Sequence, residues 1–369
     1  MNILILFSQP WRVGGAETHT EALIKGLVGH DVYLVVNHGS DEKKLGKIKE
    51  LYPYTKITRI QTRGANLFKW RRDFQKLCAL IKEKRIEIIS AQQRTSGIWA
   101  HLLKRNLKIP YTVTMHDPWH RAFLKPLYAN VFSEVFAISE NLANTLAQDF
   151  KIPRESIHLI NNGIDFSSFY PLNKYACREK LGLSANDKII LHVSRLSRIK
   201  GAVSLRIIEG MEKVLEHCPT AKLVIIGEGP LRLEIEKKIN ELKSKFENRF
   251  EIHNFVDNIL EWYNASDILV GEGRVAMETL ACEKPIVAIR NAESFIGVIT
   301  MKNIAYACDV NFDGRDRDAC TQQVALEIEK AFAVTNEECK QIANYIKTRL
   351  SIETMVNKYL TVFESLTKK

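Results

Sequence analysis

DILVGEGRVAMETLACEKPIVA, Asp267 to Ala288, packs a whole fold decision into one short stretch. An apolar run, DILV, tightens into Gly-Glu-Gly-Arg. A helical pattern, VAMETLACEK, follows, and a second apolar run, PIVAI, closes it. Strand, glycine turn, helix and strand in succession form the repeating unit of a parallel α/β sheet. Glu272 lies in the turn and Glu278 further along the helix. By itself the motif is compatible with a plain strand-to-helix turn, so its meaning depends on the rest of the chain.

The same rhythm runs outward in both directions. NILILFS, DVYLVVN, KITRI, IEIISA, YTVTMHD and VFAIS read as strands, with GAETHTEALIKGLVG, LFKWRRDFQKLCALIKEKR and SGIWAHLLKRN as helices among them. The pattern breaks over residues 165–187, a polar, Pro- and Gly-containing linker with a short helix. It restarts with KIILHVSR, VSLRIIEGMEKVLEHCP and AKLVIIG. A helix follows with Leu231, Ile235, Ile239, Leu242 and Phe246 on one face. FEIHNFV, DILV, PIVAI and IAYAC are expected to continue the second sheet, and a helical stretch runs from about Asn336 to the end. At 369 residues the chain exceeds one ordinary core. The expected organisation is α/β, with two Rossmann-like domains over 1–168 and 169–345 and a C-terminal helix, 346–369, packing back on the first. Ligands of such sheets bind at the carboxyl ends of strands, and a cleft between two facing domains is the expected site.

Composition excludes several classes. Hydrophobic residues are 46% and charged residues 26%, the profile of a soluble globular protein. No run reaches transmembrane length. The N-terminus lacks a basic segment and a small-residue cleavage site, so no signal peptide is expected. The seven cysteines are odd in number, scattered and without a C-x-x-C pair, which argues against disulfides and zinc and fits a reducing cytoplasm. Net charge is +10, and residues 63–108 hold twelve basic residues against three acidic ones. No nucleic-acid module accompanies this charge, and nucleic acid is not an expected partner.

Five short motifs carry chemistry. Gly14 and Gly15, in QPWRVGGAETHT, sit between the first strand and its helix, where bare backbone can approach an anion. They are not a G-x-G-x-x-G dinucleotide fingerprint. In VSRLSRIKGAVSL, Arg195 and Lys200 precede a helix N-terminus, two cations suited to a diphosphate or simply solvated. In YTVTMHDPWHRAF, His116 and Asp117 come directly off a strand end. NNGID, with Asn162 and Gly163, is a natural turn. The fifth motif is the opening stretch, whose glutamate can accept from two ribose hydroxyls and whose glycine loop can meet phosphate.

GGAE, TMHD, NNGID, SRLSRIKG and ETLACEKPIVA, in this order and spacing, resemble the retaining glycosyltransferases of family 4, which have the GT-B fold. The resemblance runs from Gly14 to about Ala288. It implies transfer of a sugar from a nucleotide-diphosphate sugar, UDP-sugar favoured and GDP-sugar the other option. The implied acceptor is a glycan or lipid-linked molecule of cell-envelope or glycoconjugate synthesis. It implies that Gly14 and Gly15 lie near the donor diphosphate and acceptor, and His116 near the sugar. It implies further that Arg195 and Lys200 hold the leaving diphosphate and that Glu278 binds the ribose, with the base near GEGPL and HNFVDN. The family's further glutamate, which orients the donor sugar, usually stands eight positions before the ribose-binding one. That position is Val270 here, and Glu272 is six before it. Either the loop is shorter and Glu272 acts, followed by Gly273 and Arg274 at the diphosphate or sugar, or the role is absent. A non-catalytic sugar-nucleotide-binding subunit and a sugar-nucleotide 2-epimerase are the alternative readings.

No cofactor is expected. Asp316 and Asp318, in DGRDRD, form a carboxylate pair of the kind that holds a divalent cation in another glycosyltransferase fold, but they sit in a polar, arginine-rich loop, so metal independence is expected. Leu67, Trp70, Phe74, Leu77 and Ile81 form a core stripe at helical spacing, leaving Phe68, Lys69, Arg71 and Arg72 to project elsewhere. With WHRAFLKPLY this makes a basic-aromatic surface suited to an anionic membrane leaflet, and peripheral membrane contact from the cytoplasmic side is expected.

Overall fold

A computed structural model describes the chain except residues 13, 62–66, 119–124, 292–293, 315–319 and 369. Asp316 and Asp318, and the first part of WHRAFLKPLY, therefore lie outside the described residues. The chain divides into two units, Met1–Gly163 with Ile352–Lys369, and Ile164–Ser351.

The N-terminal unit holds strands β1 (Asn2–Phe7), β2 (Asp31–Asn37), β3 (Thr55–Ile60), β4 (Ile88–Gln92), β5 (Tyr111–Met115), β6 (Val135–Ala137) and β7 (Ile157–Leu159). They form a parallel sheet in the order β3-β2-β1-β4-β5-β6-β7. Its crossovers are α1 (Gly15–Gly26), α2 (Glu42–Leu51), α3 (Leu67–Glu83), α4 (Arg94–Leu107) and α5 (Glu140–Gln148). Helices cover both faces, so a central strand such as β1 is buried from Ile3 to Phe7, while edge strand β3, TKITRI, stays partly exposed. Leu4 and Leu6 enter the core on one face, and Ile3, Ile5 and Phe7 the core on the other.

The C-terminal unit begins with α6 (Lys174–Leu181), β8 (Lys188–Val193), α7 (Arg198–His217), β9 (Ala221–Ile226), α8 (Arg232–Lys243), β10 (Phe250–His253) and α9 (Ile259–Ala265). The opening stretch then forms β11 (Ile268–Gly271), α10 (Gly273–Ala281) and β12 (Ile286–Asn291). β13 (Ser294–Val298), α11 (Ile304–Asp309), α12 (Thr321–Phe332) and α13 (Asn336–Leu350) complete the unit. The sheet order is β10-β9-β8-β11-β12-β13, parallel apart from β13, which returns antiparallel on β12. Here sequence and structure differ. IAYAC, expected as a strand, is α11. Ile304, Ala307 and Cys308 are buried at helical spacing, while Ala305 and Tyr306 are exposed. The edge strand is SFIGV instead.

The last helix, α14 (Ile352–Thr367), belongs to the N-terminal unit. The helical run breaks at Ser351, which is extended, rather than at 345. Up to Leu350 the preceding helix still buries Ile342, Ile346 and Leu350 in the C-terminal core. Ile164 already bonds to Leu350 (N to O, 2.7 Å), so the other division falls after Gly163 rather than 168. From Ile352 onward, Ile352, Met355, Val356, Tyr359 and Phe363 enter the N-terminal core. The fit against α1 is close: a Cβ on Gly26 would come within 2.4 Å of Val356 Cγ2.

All seven cysteines are free. No helix among the described residues is long and apolar enough to cross a membrane. Trp70 and Phe74 pack against the core and Leu77 and Ile81 are inside it, whereas Phe68 is 88% exposed beside exposed Lys69, Arg71 and Arg72.

Candidate functional site

In the C-terminal unit a cavity of about 180 Å³ opens at the carboxyl ends of β8 and β11, where open parallel sheets bind ligands. Its wall includes His192, Ser194, Arg195, Lys200, Phe255, Gly271, Glu272, Val275 and Arg290. Arg195 sits on the loop after β8 and is exposed. Ser197 caps α7, its hydroxyl accepting from the Lys200 N–H at 3.3 Å, which sets Lys200 in the first turn. A second loop braces the first: Leu196 N donates to Glu228 O (2.8 Å) and Leu231 N to Leu196 O (3.0 Å). That brace needs bare backbone, since a Cβ on Gly227 would lie 1.9 Å from Ser194 O.

Glu272 is the N-cap residue of α10, but its side chain does not cap the helix. It turns to the cavity and pairs with Lys200, while Arg290 Nε stands 3.6 Å from its other oxygen. Arg290 pairs in turn with Asp313, which is buried. Gly273 follows at φ +52, a left-handed conformation that favours glycine and turns the chain into the helix. The structure therefore brings together three residues singled out in the sequence, Arg195, Lys200 and Glu272, at one cavity.

Arg274 and Glu278 fall outside the lining of this cavity. Arg274 Nε lies 3.4 Å from Glu278 Oε1, one helical turn on, and the Tyr263 hydroxyl donates to Glu278 Oε2 at 2.8 Å. Burial raises the Glu278 pKa, against the opposing pull of Arg274 and the Tyr263 hydrogen bond. Burial and the neighbouring carboxylate push the Tyr263 phenol well above its ordinary value.

His192 and Arg290 were not singled out in the sequence. His192 Nδ1 donates to Val270 O (2.8 Å), leaving Nε2 to accept from Ser194 Oγ (3.2 Å). Burial, helped by the charge of Lys200, lowers its pKa to about 4, against the pull of the Val270 carbonyl. A histidine held neutral loses its stabilising contribution as pH falls: the unfolded state takes its proton near pH 6.5 and the folded state only near 4. A depression from 6.5 to about 4 corresponds to about 3 kcal/mol. Urea unfolding of the C-terminal unit is thus expected to lose stability between pH 6.5 and 4, and His192→Gln to lose markedly less over that range. Equal losses in the two proteins would refute the assignment. The available signal for both missed residues was position: each lies at the carboxyl end of an apolar strand.

In the N-terminal unit, His116 follows β5 and lies edge-on to His19, ring centroids 5.0 Å apart. His116 Nε2 donates to Gln92 Oε1 at 3.3 Å, which leaves Nδ1 as the acceptor. Burial, then the neighbouring His19, holds its pKa well below the ordinary value. His19 uses both ring nitrogens, Nδ1 on Asn162 Oδ1 (2.8 Å) and Nε2 on the Tyr359 hydroxyl (2.9 Å), which also meets Thr114 Oγ1 (2.7 Å). The NNGID segment and α14 thereby support the wall behind His116. Gly14 precedes α1 without side-chain capping. The Glu17 carboxylate folds over it, 2.4 Å from where a Cβ would stand, whereas a Cβ on Gly15 would meet nothing within 4 Å. Among the described residues no group of three or more His, Cys, Asp or Glu is placed to hold a metal ion.

With this geometry in hand, two family models match the chain: Glycosyltransferase Family 4 over residues 13–168, and Glycosyl transferases group 1 over 173–349. An uncharacterized glycosyltransferase of Methanocaldococcus jannaschii is 25% identical over 75% of this chain and 77% of its own. A D-inositol 3-phosphate glycosyltransferase of Xylanimonas cellulosilytica is 27% identical over 40% of this chain and 38% of its own. Among solved structures, Anabaena HepE in complex with UDP superimposes with a TM-score of 0.77 at 17% identity, covering 99% of this chain and 100% of that one. Both halves match, and the two sheets have the corresponding architecture; the chain belongs to the group 1 glycosyltransferases of the GT-B fold, enzymes that use nucleotide sugars.

Proposed function

We propose that the protein is a retaining glycosyltransferase that moves a hexose or related sugar from a nucleotide-diphosphate sugar to a glycan or lipid-linked acceptor of cell-envelope or glycoconjugate synthesis. The observation that carries this reading is the cavity where Arg195, Lys200 and Arg290 surround Glu272. As the diphosphate leaves, negative charge grows on its bridging oxygen, and fixed cations stabilise that charge without reorganising. Arg195 and Lys200 do this work. The Glu272 carboxylate, held between Lys200 and Arg290, accepts from sugar hydroxyls and fixes the sugar's orientation. Phe255, 53% exposed at the cavity, offers a ring face for the nucleobase. Uridine is the favoured base, supported by the UDP complex of the Anabaena neighbour.

His116, kept neutral, serves as a hydrogen-bond partner for the transferred sugar and not as a charged group. In a retaining reaction the acceptor hydroxyl attacks on the face the diphosphate leaves, and the departing phosphate takes its proton, so no protein nucleophile is required. The exposed patch of Phe68, Lys69, Arg71 and Arg72 supports contact with an anionic membrane surface from the cytoplasmic side.

The test is nucleotide release from a panel of UDP- and GDP-sugars with lipid-extract acceptors. The protein is expected to free UDP only when an acceptor is present. Glu272→Ala is expected to lower that rate by roughly a hundredfold. Tight donor binding without release, or conversion of a UDP-sugar without acceptor, would overturn the proposal.

A further inference from the structure

The sheet order of the C-terminal unit brackets Glu272 with cations. β11 pairs with β8 on one side and with β12 on the other, so the residue that follows β11 emerges between its two neighbours. Lys200, on the helix after β8, reaches one carboxylate oxygen, and Arg290, within β12, faces the other. Gly271 lies level with Ala288, which sets Glu272 and Arg290 at nearly the same height on adjacent strands.

The two cations differ in what else holds them. Among the described residues Glu272 is the one ion-pair partner of Lys200, whose flexible stem lets the ammonium turn to another anion. Arg290 is anchored. Its Nη1 pairs with Asp313 while its Nε stands 3.6 Å from Glu272. Asp313 is 6% exposed, and the turn that carries it is strained. Asn311 and Phe312 are both left-handed, at φ +56 and +57, an unfavourable conformation for a bulky side chain and one that gathers at functional sites. The same turn backs the Gly273 loop, since a Cβ on Gly273 would stand 3.7 Å from Asn311 Nδ2.

Arg195 also lines the cavity, and it makes no ion pair among the described residues. An entering diphosphate therefore meets Arg195 free and Lys200 already on a carboxylate. Lys200 serves the phosphate only by loosening its hold on Glu272. That side chain is 18% exposed, and a carboxylate so far out of water is destabilised without a counter-ion.

From this geometry we infer that donor binding exchanges the counter-ion of Glu272: Lys200 passes to the diphosphate, and Arg290, fixed by Asp313, keeps the carboxylate in place. Arg290 is a positioning residue for sugar transfer and acts through Glu272. This rests on the reading of the cavity as the donor site and goes beyond it, because Glu272 then competes with the diphosphate for Lys200.

UDP and inorganic pyrophosphate are each titrated calorimetrically, at moderate salt, into the full chain, Glu272→Gln, Arg290→Gln and the double variant. Glu272→Gln releases Lys200 and is expected to bind UDP about fivefold more tightly than the unaltered protein. Arg290→Gln leaves Lys200 as the last cation on Glu272 and is expected to bind UDP about tenfold more weakly. In the Glu272→Gln background the same change at Arg290 is expected to cost about twofold or less. In transfer assays Arg290→Gln is expected to lower kcat as well as raise the donor KM, and Arg290→Lys to recover part of both. UDP binding unchanged or weakened by Glu272→Gln overturns the exchange. So does an equal loss from Arg290→Gln in both backgrounds, which puts the guanidinium on the diphosphate itself, and so does a KM effect with kcat intact. Pyrophosphate binding that follows the expected pattern in a chain that does not bind UDP supports the exchange and counts against a nucleotide donor. A chain that binds neither anion overturns the exchange as well.

Discussion

Replacing Lys200 with alanine is expected to slow sugar transfer by roughly a hundred- to a thousandfold, the usual loss when a preorganised charge-stabilising group is removed. Lys200 is held on the first turn of α7 by the Ser197 cap, and its ammonium pairs with Glu272 at the cavity wall. A nucleotide diphosphate brings negative charge to a cavity whose wall includes Lys200 and Arg195. The effect on folding is expected to be small. The Lys200 side chain is 35% exposed and that of Glu272 18%, and exposed pairs of this kind contribute about 1 kcal/mol or less. A melting curve close to that of the unaltered protein, together with a collapsed kcat, separates the chemical role from the structural one. Lys200→Arg keeps the charge and is expected to recover part of the rate.

The second large effect concerns stability. Ending the chain at Ser351 removes α14, with Ile352, Met355, Val356, Tyr359 and Phe363 leaving the N-terminal core. Five such side chains amount to about 10 kcal/mol as an upper estimate. That is comparable with the whole stability of an ordinary domain, about 5–15 kcal/mol. It also strips His19 Nε2 and the Thr114 hydroxyl of the Tyr359 hydroxyl inside the core. The truncated chain is expected to lose cooperative unfolding of the N-terminal unit, read by circular dichroism and hydrogen exchange. Tyr359→Phe isolates the polar part. It leaves buried partners unsatisfied and is expected to cost about 1–3 kcal/mol, seen as a lower melting temperature with the fold kept. A truncated chain that melted like the full one would refute the packing assigned to α14.

The sheets were legible because burial on both faces makes a parallel strand read as an unbroken apolar run, as in NILILF and KIILHV. The edge was harder to read. SFIGV carries a glycine and pairs antiparallel at the margin, while IAYAC is apolar at every position, so periodicity could not decide between strand and helix. Around the cavity, Arg195, Lys200 and Glu272 were visible as residues, but their convergence was not, because Lys200 and Glu272 meet only through the adjacency of β8 and β11. Arg290 looks like any solvated cation after a strand until the fold sets it beside Glu272 and Asp313. Glu278 and Arg274 show the converse: they lie on the expected helix, yet they engage each other and Tyr263. The polar wall behind His116 joins His19, Asn162 and Tyr359, the last two far along the chain from the first, and local sequence carries no sign of it.

The most direct test of the central claim, that the cavity of the C-terminal unit holds the donor diphosphate on Lys200 and Arg195, is the dissociation constant of UDP for the full chain and for Lys200→Ala. The account predicts binding to the unaltered protein and at least a tenfold weaker constant in the variant, about 1.4 kcal/mol or more. Equal affinity in the two proteins, with both folded, would contradict it.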